Sequence, residues 1–136
     1  VPLGQARTAR AGDDLVVIAW SYQVEVACRV ADSMVAEGLS VGVLDLRSLV
    51  PLDIAAIAGA VDHCGRAVVV EEAAQTGGFA GEVVATIVEE CFWSLEAPVT
   101  RVSGFDVPYP VGMLEGAYVP DEARIATAVR RTLEMA

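Results

Sequence analysis

Two adjacent acids and a glycine pair follow an apolar run of this sequence. Val68–Val70 leads directly into Glu71 and Glu72, and Thr76-Gly77-Gly78 comes shortly after them. Glycines between a strand and a helix often hold a phosphate, and paired carboxylates often carry out acid–base chemistry. These residues are therefore the first candidates for an active site or a binding site.

The glycine segment does not fit a standard nucleotide site. A P-loop requires a lysine, and the chain contains none. The stretch 76–81 keeps only the second and third glycines of the dinucleotide fingerprint, and Glu71 and Glu72 would repel a pyrophosphate beside it. A two-component receiver is also disfavoured, because Asp13-Asp14 precede the first strand instead of following it.

The two glutamates also fail as a catalytic pair. Neighbours on an extended chain point to opposite faces, so Glu71 and Glu72 cannot face each other across a glycoside. No G-x-S-x-G nucleophile motif is present. The favoured hypothesis is structural, with a carboxylate accepting from backbone N–H groups at the loop or at the next helix. Glu72 stays open as a contact to a ligand or a partner chain.

The remaining reactive side chains are scattered. Cys28, Cys64 and Cys91 form no C-x-x-C pair, which favours reduced, buried thiols, and a single histidine argues against zinc. His63 falls in the last turn of a predicted helix, where it suits the C-terminal dipole.

The hydrophobic pattern alternates strands with helices. Continuous apolar runs predict strands buried on both faces, and apolar residues at helical spacing predict amphipathic helices. Ser21, Asp53 and Asp121 are expected to cap helices, with Gly38 and Gly65 as stops. The predicted strands are 15–20, 41–46, 66–70 and 99–102; the predicted helices are about 22–37, 53–61, 78–91 and 121–133.

This order predicts an α/β fold. We expect a three-layer α/β/α sandwich on a mostly parallel, open sheet of about five strands. Val83, Ile87 and Val88 are expected on the buried face of the third helix, and Phe79 in the core. Residues 1–12 show no period and are predicted to be a linker, so the domain is predicted to span 13–136.

Composition excludes several classes of function. The 136 residues are 54% hydrophobic, the net charge is −10, and all nine basic residues are arginines. An acidic chain with scattered arginines should bind neither nucleic acid nor an anionic membrane. No apolar run reaches the roughly 18 residues of a membrane span, and no leader is visible. The lack of lysine, with many Ala and Val residues, suggests a high-GC source. The scattered cysteines and the missing leader suggest a cytoplasmic location in a bacterium, or the mitochondrial matrix in a eukaryote.

A second candidate surface follows the last predicted strand. The loop "GFDVPYPVG" (104–112) contains Asp106, Pro108, Tyr109 and Pro110. Two prolines hold the tyrosine in an extended segment. The segment is either a lid over the core of the domain or a contact surface.

Four stretches resemble one family: "PLGQARTARAGDDLVVIAW", "VLDLRSLVPLD", "EEAAQTGGF" with "LEAPVTRVSGFDVPYP", and "YVPDEARIATAV". They resemble the C-terminal, transketolase-like domain of the β subunit of thiamine-dependent 2-oxoacid dehydrogenases, the E1 component. The segment 89–110 is most similar to the branched-chain (2-oxoisovalerate) enzyme, and the pyruvate and acetoin enzymes are alternatives.

The resemblance implies a domain for assembly. It implies that thiamine diphosphate and magnesium belong to other parts of the intact enzyme, and that this domain binds neither and is inactive alone. The implied partners are the E1 α subunit, a second β subunit in a heterotetramer, and the E2 acyltransferase core. The candidate interface or loop residues are Glu72, Thr76, Gly77, Gly78, Phe79, Asp106, Pro108, Tyr109 and Pro110.

The sequence departs from the family at two positions. Glu71 stands where related sequences often have His, and Ala74 stands where they often have Pro, so the role of that His is in doubt here. Two other hypotheses remain: a free-standing module that binds a nucleotide or small ligand at Thr76-Gly77-Gly78, and a domain from the transketolase or deoxyxylulose-phosphate synthase branch.

Overall fold

The computed structural model describes residues 2–135, which form five strands and five α-helices. The strands are β1 (Arg7–Arg10), β2 (Leu15–Ala19), β3 (Val41–Asp45), β4 (Ala67–Ala74) and β5 (Thr100–Gly104). The helices are α1 (Gln23–Met34), α2 (Ile54–Cys64), α3 (Ala80–Cys91), α4 (Glu115–Tyr118) and α5 (Glu122–Glu134).

The strands form one sheet in the order β1-β3-β2-β4-β5. β2, β3, β4 and β5 are parallel, and β1 runs antiparallel to β3 at one edge. The chain proceeds from β2 to one side and then crosses to β4 on the other. The carboxyl ends of β2 and β4 therefore flank the point at which the strand order reverses.

Helices cover both faces of the sheet, which confirms the three-layer α/β fold. Val17 and Val70 pack with α1 and α5 in one core, whereas Ile18 and Val69 pack with α2 and α3 in the other. This alternation explains the continuous apolar runs, because every side chain of such a strand is buried. Each fully buried Val, Leu or Ile contributes about 2 kcal/mol to the free energy of unfolding.

The predicted linker contains the fifth strand. The sequence predicts a linker over residues 1–12, whereas Arg7–Arg10 forms a strand that pairs with β3, with Arg7 opposite Asp45. The sequence does not show this strand because it lies at the sheet edge, where exposed polar side chains interrupt the apolar pattern. The Ala6 N–H also donates to Asp53 at 2.9 Å, which ties residues before the strand to α2.

Most predicted helix ends are confirmed. Asp53 and Asp121 accept hydrogen bonds from Ala56 and Arg124 N–H groups and cap α2 and α5. Gly38 and Gly65 both take left-handed conformations. Gly38 ends the 3₁₀ turn that extends α1, and Gly65 ends α2.

Two details of the helix predictions are wrong. Ser21 does not cap α1: its φ is 56°, and Tyr22 occupies the cap position without a side-chain hydrogen bond. Val88 is 44% exposed, because the buried face of α3 runs through Val83 and Ile87. Within residues 2–135, no helix combines the length and apolar character needed to cross a membrane.

Candidate functional site

The candidate residues lie in two loops at the carboxyl edge of the sheet. The first loop, residues 75–79, joins β4 to α3, and the second begins after β5 and continues to α4. We call residues 105–114 the β5–α4 segment. Ligands of open α/β sheets usually bind at this edge, and the candidate residues chosen from the sequence lie there.

Glu71 fills the position that an anionic ligand would take. Its side chain is 1% exposed, and Oε2 accepts from the Ala80 N–H at 2.9 Å, at the start of α3. Oε1 accepts from the Ser103 hydroxyl at 3.1 Å. The carboxylate therefore satisfies a free N–H group of α3 and complements its dipole from inside the protein.

The glycine pair makes this arrangement possible. Gly77 has φ 78°, a left-handed conformation that favours glycine. A Cβ on Gly78 would overlap Glu71 Oε1 and would lie 2.5 Å from the Ala74 carbonyl oxygen. The segment that looked like a phosphate loop is thus a tight turn closed around a glutamate of its own strand.

Glu72 lies on the opposite face from Glu71, as predicted. It is half-buried, and no hydrogen bond of its carboxylate is found among residues 2–135. Its negative charge acts on Tyr109 in the second loop. Glu72 therefore remains a candidate contact, and its role remains a prediction.

Thr76 and Asp106 join the two loops. Asp106 accepts from the Thr76 N–H at 2.9 Å and from the Thr76 hydroxyl at 2.5 Å. These bonds to the side chain and then to the backbone lower the pKa of Asp106. The sequence separates these residues by 30 positions, and parallel pairing of β4 with β5 brings them together.

Aromatic contacts anchor the β5–α4 segment. The Tyr109 ring lies 4.9 Å from that of Tyr118, which is itself 4% exposed and packs against Gly104. The Tyr109 hydroxyl donates to Glu115, and this bond, followed by desolvation and the charges of Glu115 and Glu72, raises the pKa of Tyr109 to about 12.

The segment directs a run of apolar side chains to solvent. Val111 is 84% exposed, Met113 100% and Leu114 66%. Val107 and Pro108 are exposed as well. Pro110 is half-buried. Tyr109 therefore packs on the domain while its neighbours are exposed, and a contact role for this segment stays a prediction.

Phe79 occupies the other side of this edge. It is half-buried and contacts Trp20 edge to face at 6.1 Å, so it borders the core instead of lying fully inside it. With Gly77 and Gly78 it lines a cleft of about 660 Å3. The cleft is also lined by apolar residues, Leu49, Val50, Leu52 and Ile54, and by polar ones, Glu82, Thr86 and Arg101.

The described residues do not fit a thiamine diphosphate site. The group carries a diphosphate with a cation, yet Glu71 already fills the N-terminus of α3, and Glu72 adds negative charge at the same edge. Across residues 2–135, no three His, Cys, Asp or Glu side chains are arranged to hold a metal ion.

The remaining reactive groups have structural surroundings. His63 ends α2 and pairs with Asp13 at 2.7 Å. Cys64 and Cys91 are buried, and burial raises the pKa of both thiols, which makes them poor nucleophiles. Cys28 is only half-buried, so the prediction that all three cysteines are buried is wrong for this one.

The sequence did not indicate a role at this edge for three residues, Ser103, Tyr118 and Arg124. Ser103 binds Glu71, and the Arg124 guanidinium donates to the carbonyls of Ser103 and Tyr118. These contacts join β4, β5 and α5, so they exist only after the sheet has formed. The exposed apolar residues 111–114 were visible in the sequence, but their exposure was not.

The fold and the closed edge define an α/β domain with an exposed apolar loop. The chain belongs to the transketolase C-terminal domain family, whose profile, "Transketolase, C-terminal domain", matches residues 4–125. The family match thus begins ahead of the boundary at residue 13 that the sequence suggested.

Similar proteins include dehydrogenase β subunits. The chain is 45% identical over 133 residues to the pyruvate dehydrogenase E1 component subunit beta of Leifsonia xyli subsp. xyli, covering 98% of this chain and 40% of that protein. It is 42% identical to the 2-oxoisovalerate dehydrogenase subunit beta of Pseudomonas aeruginosa, over 99% of this chain and 37% of that protein. The chain thus spans about two-fifths of the length of these relatives.

A solved structure agrees with the fold. The chain matches a split gene transketolase, described as an inactive beta4 tetramer, with a TM-score of 0.84 and 26% identity, over 97% of this chain and 42% of that one. A 2-oxoglutarate:ferredoxin oxidoreductase from Magnetococcus marinus, at 17% identity and a TM-score of 0.64, shares the fold alone.

Proposed function

We propose that this chain is the C-terminal assembly domain of the β subunit of a thiamine-diphosphate-dependent 2-oxoacid dehydrogenase, the E1 component. The observation that carries the proposal is the β5–α4 segment. It is fixed to the domain through Thr76–Asp106 and Tyr109–Tyr118, yet it exposes Val111 and Met113 to solvent. Apolar patches of this kind mark protein interfaces.

The domain contributes binding surface instead of catalytic groups. Glu71 closes the α3 N-terminus to an external phosphate. In the intact enzyme, thiamine diphosphate and magnesium would therefore bind to parts outside this chain. Oxidative decarboxylation and acyl transfer to a lipoyl group are then activities of the assembled complex.

The proposed partners are the E1 α subunit, a second β subunit and the E2 acyltransferase core. Names of the relatives support this proposal, since they describe subunits of dehydrogenases. The cleft beside Phe79 and the β5–α4 segment lie at the same edge of the sheet. Together they offer a broad surface to another folded unit.

For the substrate we propose a branched-chain 2-oxoacid, on the resemblance of residues 89–110. Relatives named for 2-oxoisovalerate are 40–42% identical, and one named for pyruvate is 45% identical. Similarity therefore leaves pyruvate or acetoin as the alternative, and the substrate contacts would lie outside this chain. A cytoplasmic location in a bacterium, or the mitochondrial matrix, stays a prediction.

Subunit assembly tests the proposal. The full-length β subunit would be purified together with the α subunit, with Val111→Ser plus Met113→Ser in the β5–α4 segment. We expect size-exclusion chromatography to show less assembled complex, because exposed apolar contacts are replaced by polar groups. The control is Val35→Ser, because Val35 is also exposed (58%) but lies elsewhere, on the 3₁₀ turn after α1. Unchanged assembly of the double variant would contradict the proposed role of the segment.

A further inference from the structure

Three arginines line one groove beside the open edge of the sheet. Arg101 lies on β5, and Arg124 and Arg131 lie on α5 with Thr127 between them. The groove has a volume of about 410 Å3. β5 is the last strand in the sheet order, so the groove follows a sheet edge that no other strand covers in residues 2–135.

Among residues 2–135 these arginines form no ion pair with a carboxylate, although Asp121 also lines the groove and the charge of Arg101 acts on Asp106. Among the described residues, six arginines pair with an Asp or Glu oxygen at 2.5–3.8 Å: Arg7, Arg10, Arg29, Arg47, Arg66 and Arg130. Arg101, Arg124 and Arg131 form no such pair. The chain has 19 acidic residues for nine basic ones, so a shortage of carboxylates does not explain this.

The groove is partly preorganised. Arg124 donates to two backbone carbonyls and lies 4.7 Å from the Phe105 ring, which fixes the guanidinium without neutralising its charge. Arg101 donates to the Gln75 carbonyl at 3.1 Å. Arg131 is exposed and makes no side-chain hydrogen bond within residues 2–135. Fixed positive charge of this kind favours an acidic partner and directs its approach.

We propose that this groove docks an extended acidic segment of another polypeptide chain. Arg124 and Arg131 are two helical turns apart, a span of about 10 Å, which three residues of an extended segment cover. β5 pairs with another described strand on one side only, so an extended segment can lie along its other edge. A small anion suits the groove less well, because the guanidinium groups are spread along it. The inference uses Gln75, residues 100–131 and the charge balance, so it does not depend on the proposed function.

A peptide titration tests this inference. The probe is a fluorescein-labelled peptide, Ser-Glu-Val-Glu-Val-Glu-Ser, and its partner has glutamine for every glutamate. We expect fluorescence anisotropy to show binding of the glutamate peptide alone, weakening as salt is added. Arg101→Gln combined with Arg131→Gln should raise the Kd about fivefold, as expected for two exposed ion pairs.

The control changes the same charge elsewhere. Arg29→Gln combined with Arg130→Gln removes two exposed arginines that already pair with Glu122 and Glu37. Its Kd should stay within about twofold of the unchanged protein. Arg131→Gln alone serves as a second variant if the loss of the Arg101–Gln75 bond disturbs the fold, and thermal melts by circular dichroism check each variant.

Any of the following results would overturn the inference. One is equal binding of the glutamate and glutamine peptides, or an equal loss of binding in the control. Another is displacement of the peptide by inorganic phosphate at the same concentration as the unlabelled peptide, which would define a site for small anions. The third is self-association that depends on Arg131 in sedimentation, which would assign the groove to a second copy of this chain.

Discussion

At the scale of single residues, the buried carboxylate of Glu71 explains why the turn contains glycine. The carboxylate accepts from the first N–H of α3 and from Ser103, and it lies so close to Gly78 that a side chain there has no space. The acid and the glycine are therefore one structural unit. An anion-binding loop would instead leave its N–H groups open to solvent.

Replacement of Gly78 by alanine should be strongly destabilising. The new Cβ would overlap Glu71 and the Ala74 carbonyl, so either the buried carboxylate or the turn must move. We expect Gly78→Ala to lower the free energy of unfolding by about 2–3 kcal/mol, measured by urea denaturation.

Gly59→Ala is the matched control for this prediction. Gly59 lies inside α2, and a Cβ there meets nothing within 4 Å. Its replacement should raise the free energy of unfolding by about 0.5–1 kcal/mol, because alanine favours helix. Equal stabilities of the two variants would show that the turn tolerates a side chain.

At the scale of elements, the Thr76–Asp106 link holds two loops together. Hydrogen bonds from Thr76 lower the pKa of Asp106 from its ordinary value of 3.8. A carboxyl whose pKa is lower in the folded state contributes stability above its unfolded pKa. That contribution is lost as the pH falls through the folded pKa.

Titration of the Thr76 amide should report this link. We expect its NMR chemical shift to change with a midpoint below pH 3.8, because the shift follows protonation of the bonded carboxylate. Asp106→Asn should abolish this transition and leave the titrations of distant carboxyls unchanged. A midpoint at or above 3.8 would mean that the link is absent in solution.

Two helix caps should differ in their contribution to stability. Asp53 accepts from Ala56 in α2 and from Ala6 before β1, whereas Asp121 accepts from Arg124 alone. We expect Asp53→Ala to lower the free energy of unfolding by about 2 kcal/mol and Asp121→Ala by about 1 kcal/mol. Chemical denaturation of both variants measures the difference. Equal losses would show that the Ala6 contact contributes no net stability.

At the scale of the whole molecule, net charge and the closed edge act against phosphorylated ligands. The chain carries a net charge of −10, and Glu71 fills the α3 N-terminus. We expect ATP, NAD or thiamine diphosphate with magnesium to change the melting temperature of this chain by less than about 1 °C. A dose-dependent rise of several degrees would support the free-standing ligand-binding module instead.

Local patterns in the sequence were sufficient to predict the layers of the fold and two of the three expected helix caps. Asp53 and Asp121 cap helices as expected because capping depends on residues three positions apart. Ser21 has the right chemistry for a cap, but its backbone follows the turn out of β2 instead. Edge strand β1 was missed for a related reason, since its pairing with β3 is not local.

The sequence by itself determined that this protein is an α/β domain, because the spacing of hydrophobic residues indicates buried strands and amphipathic helices. It also determined that Glu71 and Glu72 face opposite ways. Only the tertiary structure decided which glutamate is buried, because the acceptor sites at Ala80 and Ser103 come from other elements. It likewise placed Arg101, Arg124 and Arg131 in one groove, since their proximity depends on α5 packing against β5.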